Sequence, residues 1–306
     1  VDTGFIVYNE QNYPNLTQLF HELGVETANS DMSFSISLEA GKLEYAGSIR
    51  GLFAQPTNVF RPSFWRLLRE LFRFYREAHR FGTREDLLGL TLGEFLSDAG
   101  YSDAFARRHI LPMAAAIWSA PFDEIMAFPA KSFVQFFENH GLFEIRKRPQ
   151  WRSVLGGSRR YVEALKGSFQ GRILLSTPIS AVTRTPAGVL IRSADGVDRR
   201  FDQLVIATHA DQALEILGHG ASGAEREILR AFRYQRNRAV LHSDAALMPR
   251  RRAAWASWNY HTGDENEAGG DTSVTYWMNR LQSLNTLQNV FVTLNPINQP
   301  AQHHAH

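Results

Sequence analysis

The sequence predicts a protein of the α/β class, α+β in its arrangement within these 306 residues, on three observations. Helical apolar periodicity dominates residues 11–149, interrupted by one hairpin. After residue 150 four short β-prone runs follow in quick succession: RILLST, SAVTRT, GVLIRS and FDQLVIAT. The last contains Leu204-Val205-Ile206-Ala207, an unbroken apolar run of the kind found in strands buried on both faces.

The elements read as follows. DTGFIVY (2–8) has the aromatic and β-branched composition of a strand. Pro14 then stands at a first helical position. Leu16, Leu19, Phe20 and Leu23 repeat at helical spacing, and Gly24 closes the turn. Residues 34–47 alternate on both sides of Ala40-Gly41 and predict a β-hairpin. A long helix is predicted over 62–81, with Phe64, Leu67, Leu68, Leu71 and Tyr75 on one face and Arg66, Arg69, Arg73, Arg76 and Arg80 on the other. Such a basic amphipathic helix suits peripheral contact with an anionic membrane. A solvated face is the plainer reading, because Glu70 and Glu77 interrupt the basic side.

Thr91 and Glu94 have the spacing of a capping box. Helical periodicity continues over 102–148, with breaks expected at Pro112, Pro121 and Pro129. In the strand-rich part, turns fall at Pro178, at 186–188 and at Asp195-Gly196, and Asp211 is placed to cap the helix DQALEIL. A helix around 224–232, a strand RAVLHSD, a polar loop over 261–271 and strands SVTYWMN and NVFVTLN complete the chain.

Composition narrows the function. Hydrophobic residues at 44% and charged residues at 21% are those of a chain that buries a core. A net charge of +2 gives no reason to expect nucleic acid as a partner. The absence of cysteine removes thiolate metal sites, disulfides and a cysteine nucleophile, and agrees with a cytoplasmic location. No stretch approaches the ~20 apolar residues of a spanning helix. The 21 Phe, 9 Tyr and 6 Trp suit a large apolar cavity, with a generous core as the plainer explanation.

The familiar site patterns fail. Gly218-His-Gly220-Ala-Ser-Gly223 fits GxGxxG, and Asp244 lies at the distance of a ribose-binding acid. The preceding segment, however, reads as a helix through Ala213, Leu214 and Leu217, so a loop between helices is the better assignment. His303, His304 and His306 sit in a tail without structural signals, and no metal is expected. HExxH, GxSxG and P-loop patterns are absent, and the adjacent Asp123 and Glu124 do not face one another across a substrate.

Other segments are more specific. VDTGFIVYN at the start, LPMAAAIWSAP (111–121), IMAFPAKSFVQFFENHGL (125–142), RPQWRSVLGGSRRYVEAL (148–165), FDQLVIATHADQALEIL (201–217), RRRAAWASWNY (250–260) and SVTYWMNRLQSL (273–284) run along nearly the whole chain. Together they resemble the FAD-dependent amine-oxidase-like superfamily, in particular its bacterial branch of NAD/FAD-binding oxidoreductases related to monoamine oxidases and phytoene desaturases.

That resemblance implies an incomplete FAD/NAD(P)-binding fold with a β-meander, drawn from residues 1–10 and 150–217. It also implies a helical and mixed-sheet substrate domain from 11–149 and 218–306. Such proteins carry their GxGxxG a few dozen residues before the DTG segment and a second flavin segment after a point beyond Asn295. On this reading the chain is the middle of such a protein, inactive by itself and unable to hold FAD tightly.

Carried over residue by residue, Gly4 and Phe5 correspond to the strand end beside the flavin ring. Ile179 corresponds to the turn whose main chain receives the adenine. Thr208 and His209 correspond to the strand end returning to the cofactor, and His209 is the one candidate for a catalytic base. The implied cofactor is FAD, and the implied substrate is a small apolar molecule or an amine. A flavin-dependent desaturase or isomerase acting on a lipid or isoprenoid is the alternative within the class. A non-catalytic fragment binding lipid, membrane or partner is the alternative outside it.

Overall fold

The computed structural model describes residues 1–82, 84–118, 120–144, 148–263 and 272–301. Most of the polar loop read over 261–271 and the histidines of the tail lie outside these residues. Twelve strands are present among them. In the first half of the chain they are β1 (Tyr8–Asn9), β2 (Thr27–Asn29), β3 (Phe34–Leu38), β4 (Leu43–Ala46) and β5 (Trp151–Val154). Then follow β6 (Ile179–Thr185), β7 (Gly188–Ser193), β8 (Asp198–Phe201), β9 (Ala239–His242), β10 (Trp258–Thr262), β11 (Thr272–Trp277) and β12 (Phe291–Leu294). The chain divides into two compact units, residues 1–168 with 237–306, and residues 169–236.

The first unit is built on a six-stranded mixed sheet of order β4-β3-β10-β11-β12-β9, in which β10 runs parallel to β3 and every other pairing is antiparallel. Period-two alternation gives the sheet two different faces. Ile36, Tyr45, Tyr260, Val274, Tyr276 and Val292 point into the main core, where the helices pack. The opposite face carries Ser35, Ser37, Glu44, Asn259, Ser273, Thr275 and Thr293, all buried. These groups avoid the cost of burial by hydrogen bonding. Ser35 Oγ donates to Asn259 Oδ1 (2.8 Å), Asn259 Nδ2 donates to the Ala256 and Thr275 carbonyls, and His242 Nε2 lies 2.7 Å from Thr293 Oγ1.

The helical part of this unit explains the aromatic content. Phe64, Phe74, Phe81, Phe95, Phe105, Phe133 and Phe137 are all at most 3% exposed. Phe74 packs against Tyr75, Phe81, Tyr101, Phe105 and Phe143 with ring centroids 5.4–5.8 Å away. These rings build a core. Helix Pro14–Glu22 starts on its proline, and Gly24 follows its end at φ +63°. The hairpin β3–β4 closes where Ala40 and Gly41 both have positive φ. Thr91 and Glu94 form the reciprocal capping box. Pro121 and Pro129 are N-caps of the short helices Phe122–Met126 and Ala130–Asn139. Pro112 breaks nothing, since it falls in the first turn of helix Leu111–Trp118, just after the π-helical turn Ala106–Ile110.

The second unit is the antiparallel meander β6-β7-β8 with helices Ala210–Leu217 and Gly223–Ala231. The glycine pattern at 218–223 is the connection between those helices, and the capping box of Ser222 and Glu225 opens the second one. His209, two residues before Asp211, is the N-cap of the first helix. Asp211 therefore lies inside the first turn, where its Oδ1 accepts from the Gln212 N–H (2.8 Å).

Three predicted strands differ. In DTGFIVY only Tyr8 is paired, to Arg152 of β5. RILLST and LVIA form no strand, with Leu175 74% and Val205 88% exposed. An apolar run becomes a strand only when a neighbour takes its N–H and C=O groups. No strand lies beside either run among the described residues.

Candidate functional site

The segment Asp2–Phe5 is held in place from two distant parts of the sequence. The Asp2 N–H donates to Gln282 Oε1 (3.0 Å), while Gln282 Nε2 donates to the Asp2 carbonyl (3.1 Å). The Asp2 carboxylate accepts from the Ser158 N–H (2.8 Å), and Ser158 Oγ donates to the Phe5 carbonyl (3.3 Å). Gly156 and Gly157 make this approach possible. Both have left-handed φ (+79° and +87°), and a Cβ on Gly157 would sit 3.2 Å from Asp2 Oδ2. A turn is thus the role these two glycines show.

Gln282 is itself fixed. It follows the helical turn Met278–Leu281, and the Leu281 carbonyl accepts from buried Ser30 Oγ (2.7 Å). Arg280 Nη2 donates to Asp31 Oδ2 (2.7 Å). Burial works to raise the Asp31 pKa, but hydrogen bonds from Ser257 and Ser33 and the charge of Arg280 outweigh it and hold the carboxyl below its usual range. The segment 30–33 and the turn 278–281 therefore lock together, and Gln282 passes that rigidity to Asp2.

What this clasp presents is open. Gly4 is exposed, its φ is not left-handed, and a Cβ placed there would meet no atom within 4 Å. The fold has no use of its own for a missing side chain at this position. Phe5 is 36% exposed and rests edge-on against Tyr161, with centroids 6.3 Å apart.

Within the second unit, Ile179 opens β6 opposite Ser193, with a register shift before Ala181. Such bulges re-aim a strand end. The preceding Pro178 carbonyl accepts from the Ala194 N–H (2.8 Å). Thr208 Oγ1 donates to the neighbouring His209 carbonyl (3.0 Å). The His209 ring stacks flat on Tyr234, 4.3 Å between centroids and 3° between planes. The Tyr234 hydroxyl accepts from the Ala210 N–H (2.9 Å), so it satisfies a helix-start donor that His209 leaves free. Ile179, Thr208 and His209 thus share the second unit, and Gly4 and Phe5 belong to the first.

A polar cluster that sequence patterns do not reveal lies in the main core. His109, on the π-helical turn, has Nδ1 3.1 Å from the Tyr45 hydroxyl and Nε2 3.2 Å from the Tyr75 hydroxyl. Tyr45 donates to the Arg108 carbonyl (2.7 Å). One arrangement satisfies all three: Nδ1–H donates to Tyr45, and Tyr75 donates to Nε2. Burial, with a smaller effect from the Arg148 charge, pushes the His109 pKa down to about 4. Burial also raises Tyr75 to about 12. His109 is a neutral plug at pH 7. Among the described residues no three His, Asp or Glu side chains gather as metal ligands, and no helix is long and apolar enough to cross a membrane.

The model of the flavin containing amine oxidoreductase family matches residues 1–235, and the chain belongs to that family. FAD is accordingly its cofactor.

Among solved structures, a putrescine oxidase redesigned in its cofactor binding is similar with a TM-score of 0.64 at 13% identity, over 94% of this chain and 63% of that one. The cyclohexylamine oxidase of Brevibacterium oxydans is similar with a TM-score of 0.64 at 17% identity, over 96% and 64%. A fatty acid isomerase of P. acnes that produces CLA follows with a TM-score of 0.58 at 17% identity, over 99% and 68%. At these identities the likeness is one of fold. The chain spans somewhat under two thirds of the length of the amine oxidases it resembles. No curated protein matches.

Proposed function

We propose that this chain serves an FAD-dependent oxidoreductase in which a hydride or electrons pass from an apolar or amine substrate to the flavin. One observation carries the reading. A clasp of Asp2, Ser158 and Gln282, spanning 280 residues of sequence, fixes a backbone segment whose glycine has empty space before it. A flat ring can approach such a backbone closely, as it cannot approach one bearing a Cβ.

In this proposal Gly4 and Phe5 border the ring, Ile179 receives the adenine through its main chain, and Thr208 stands at the returning chain end. Bound flavin supplies the acceptor for hydride or electrons. The protein's share is placement: Asp2 and Gln282 hold the ring-side backbone rigid, and Phe5 with Tyr161 keeps that edge apolar. His209, stacked on Tyr234, is assigned a positioning role at the start of its helix.

Titration of the purified protein with FAD, followed by its visible spectrum, tests this. The full-length protein is expected to turn yellow and to bleach anaerobically with a competent amine or apolar substrate. Gly4→Val is expected to leave the far-ultraviolet circular dichroism unchanged, because a Cβ added there has no atom within 4 Å. It weakens FAD binding by roughly tenfold or more, since an overpacked contact costs about 1–3 kcal/mol. A folded protein that stays colourless in excess FAD, or a Gly4→Val variant that binds FAD as the native protein does, contradicts the reading.

A further inference from the structure

The outer side of helix Pro62–Glu77 is not used by any of this. Its inner side, Phe64, Leu67, Leu68 and Phe74, is spent on the main core. Its outer side is not simply basic. Trp65, Arg69, Phe72 and Arg76 follow one another at helical spacing along a single stripe, with Trp65 49% and Phe72 55% exposed. The 3-10 turn Pro56–Phe60 adds Phe60, 86% exposed, at the start of that stripe. Helix Ile49–Leu52 adds Ile49 and, just after it, Phe53, whose ring centroid lies 6.2 Å from that of Trp65. An open cleft of about 540 Å³ is lined by Val59, Phe60, Pro62, Trp65, Arg66 and Arg69.

The charges here are arranged for an anion from outside. Glu70 is turned into the protein, where it accepts from Ser102 Oγ (2.6 Å). Glu77 accepts from the Tyr101 hydroxyl (2.9 Å) and pairs with Arg73. Glu77 also pairs with Arg76 at the far end of the stripe (3.9 Å), and neither carboxylate pairs with Arg66 or Arg69. Arg66 and Arg69 have no carboxylate partner among the described residues. The Trp65 indole N–H already donates to the Val59 carbonyl (2.8 Å), so its ring can leave water without stranding a donor.

We propose that this surface docks on a bilayer containing anionic phospholipid, with Phe60, Trp65 and Ile49 at the acyl boundary and Arg66 and Arg69 on lipid phosphates. A bilayer is the occupant that meets both halves of the surface at once. Its interface takes apolar tips to a depth of roughly 5–10 Å and holds guanidinium groups at the headgroups. A nucleic acid would engage the arginines and leave Phe60 and Ile49 in water.

Co-sedimentation of the purified protein with phosphatidylcholine vesicles, with and without phosphatidylglycerol, tests the proposal. Binding is expected only to the mixed vesicles and is expected to weaken with salt. Arg66→Gln with Arg69→Gln lowers the partition by on the order of 30-fold, from about a fivefold contribution per basic residue. Phe60→Ser with Ile49→Ser, both at sites too exposed to disturb the fold, lowers it by ~10-fold or more. Failure to sediment with mixed vesicles overturns the proposal. So does vesicle binding that either pair of substitutions leaves unchanged, or binding to a soluble polyanion that is as strong and indifferent to Phe60 and Ile49.

Discussion

His109 shows how much one residue can hide from sequence. Nothing in ARRHI marks it as buried, yet its ring sits between two tyrosine hydroxyls, and its neutral form is the one the core accepts. The sign of the consequence follows from linkage. Its folded pKa of about 4 lies below the ordinary value of 6.5, so the unfolded chain binds the proton more readily. The stability this contributes is complete above pH 6.5 and is lost as pH falls toward 4. His261, pushed down to about 4 chiefly by burial, acts in the same window. His109→Phe is expected to cost about 1–3 kcal/mol at pH 7, because the Tyr75 hydroxyl loses its acceptor nitrogen while Tyr45 keeps the Arg108 carbonyl. It should also flatten the fall in urea-unfolding stability between pH 6.5 and 4 without abolishing it. A variant with the native pH slope would exclude the buried neutral imidazole. The clasp residues are as hard to foresee as His109. Asp2, Ser158 and Gln282 carry no local signal, and only the folded chain brings positions 2 and 282 together.

At the scale of elements, what could be read from sequence is what local chemistry decides. A proline at the first helical position, a capping box and a left-handed glycine act within a few residues, and each is found where expected. Strands depend on partners, which is why RILLST and LVIA mislead: composition reports β-propensity, and pairing decides. Gly4 and Phe5 are candidates through family resemblance alone, whereas the open space before Gly4 is visible only in the structure. The buried polar face of the six-stranded sheet is a further non-local feature, and Glu44 on β4 anchors its cover. This fully buried carboxylate accepts from the Arg250 N–H (2.7 Å), the Arg251 N–H (3.1 Å), Arg251 Nη1 (2.8 Å) and Ser37 Oγ (3.1 Å). Glu44→Ala leaves Arg251 with the Gly41 carbonyl but without its carboxylate, and two backbone donors unpaired. It should destabilise the protein by about 3–5 kcal/mol in urea unfolding. A loss below 1 kcal/mol would mean that the loop holds without the carboxylate.

Across the whole molecule, stability is unevenly distributed, because burial is. The core of the first unit runs from Ile36 through the phenylalanine helices to Val292, and its largest rings are almost wholly buried. In the second unit the buried apolar residues are Val182, Ala213, Leu217 and Ala221, with Ile179, Val189, Ile191 and a few others packed around them. Ile173, Leu174, Leu175 and Val205 of the same unit are exposed, so the apolar surface that could stabilise it stays in water. Unprotected apolar segments and a small core place this unit at the low end of local stability. Hydrogen exchange on the purified protein should therefore show the amides of β6–β8 opening before those of β10–β12 as urea is raised. Residues 173–175 and 204–207, which have no strand partner among the described residues, should exchange fastest even without denaturant. Limited proteolysis gives an independent reading, with first cuts expected in 169–176 or 202–208 and not in the helical core. Exchange that rises together in both units at one urea concentration would show that they unfold as one.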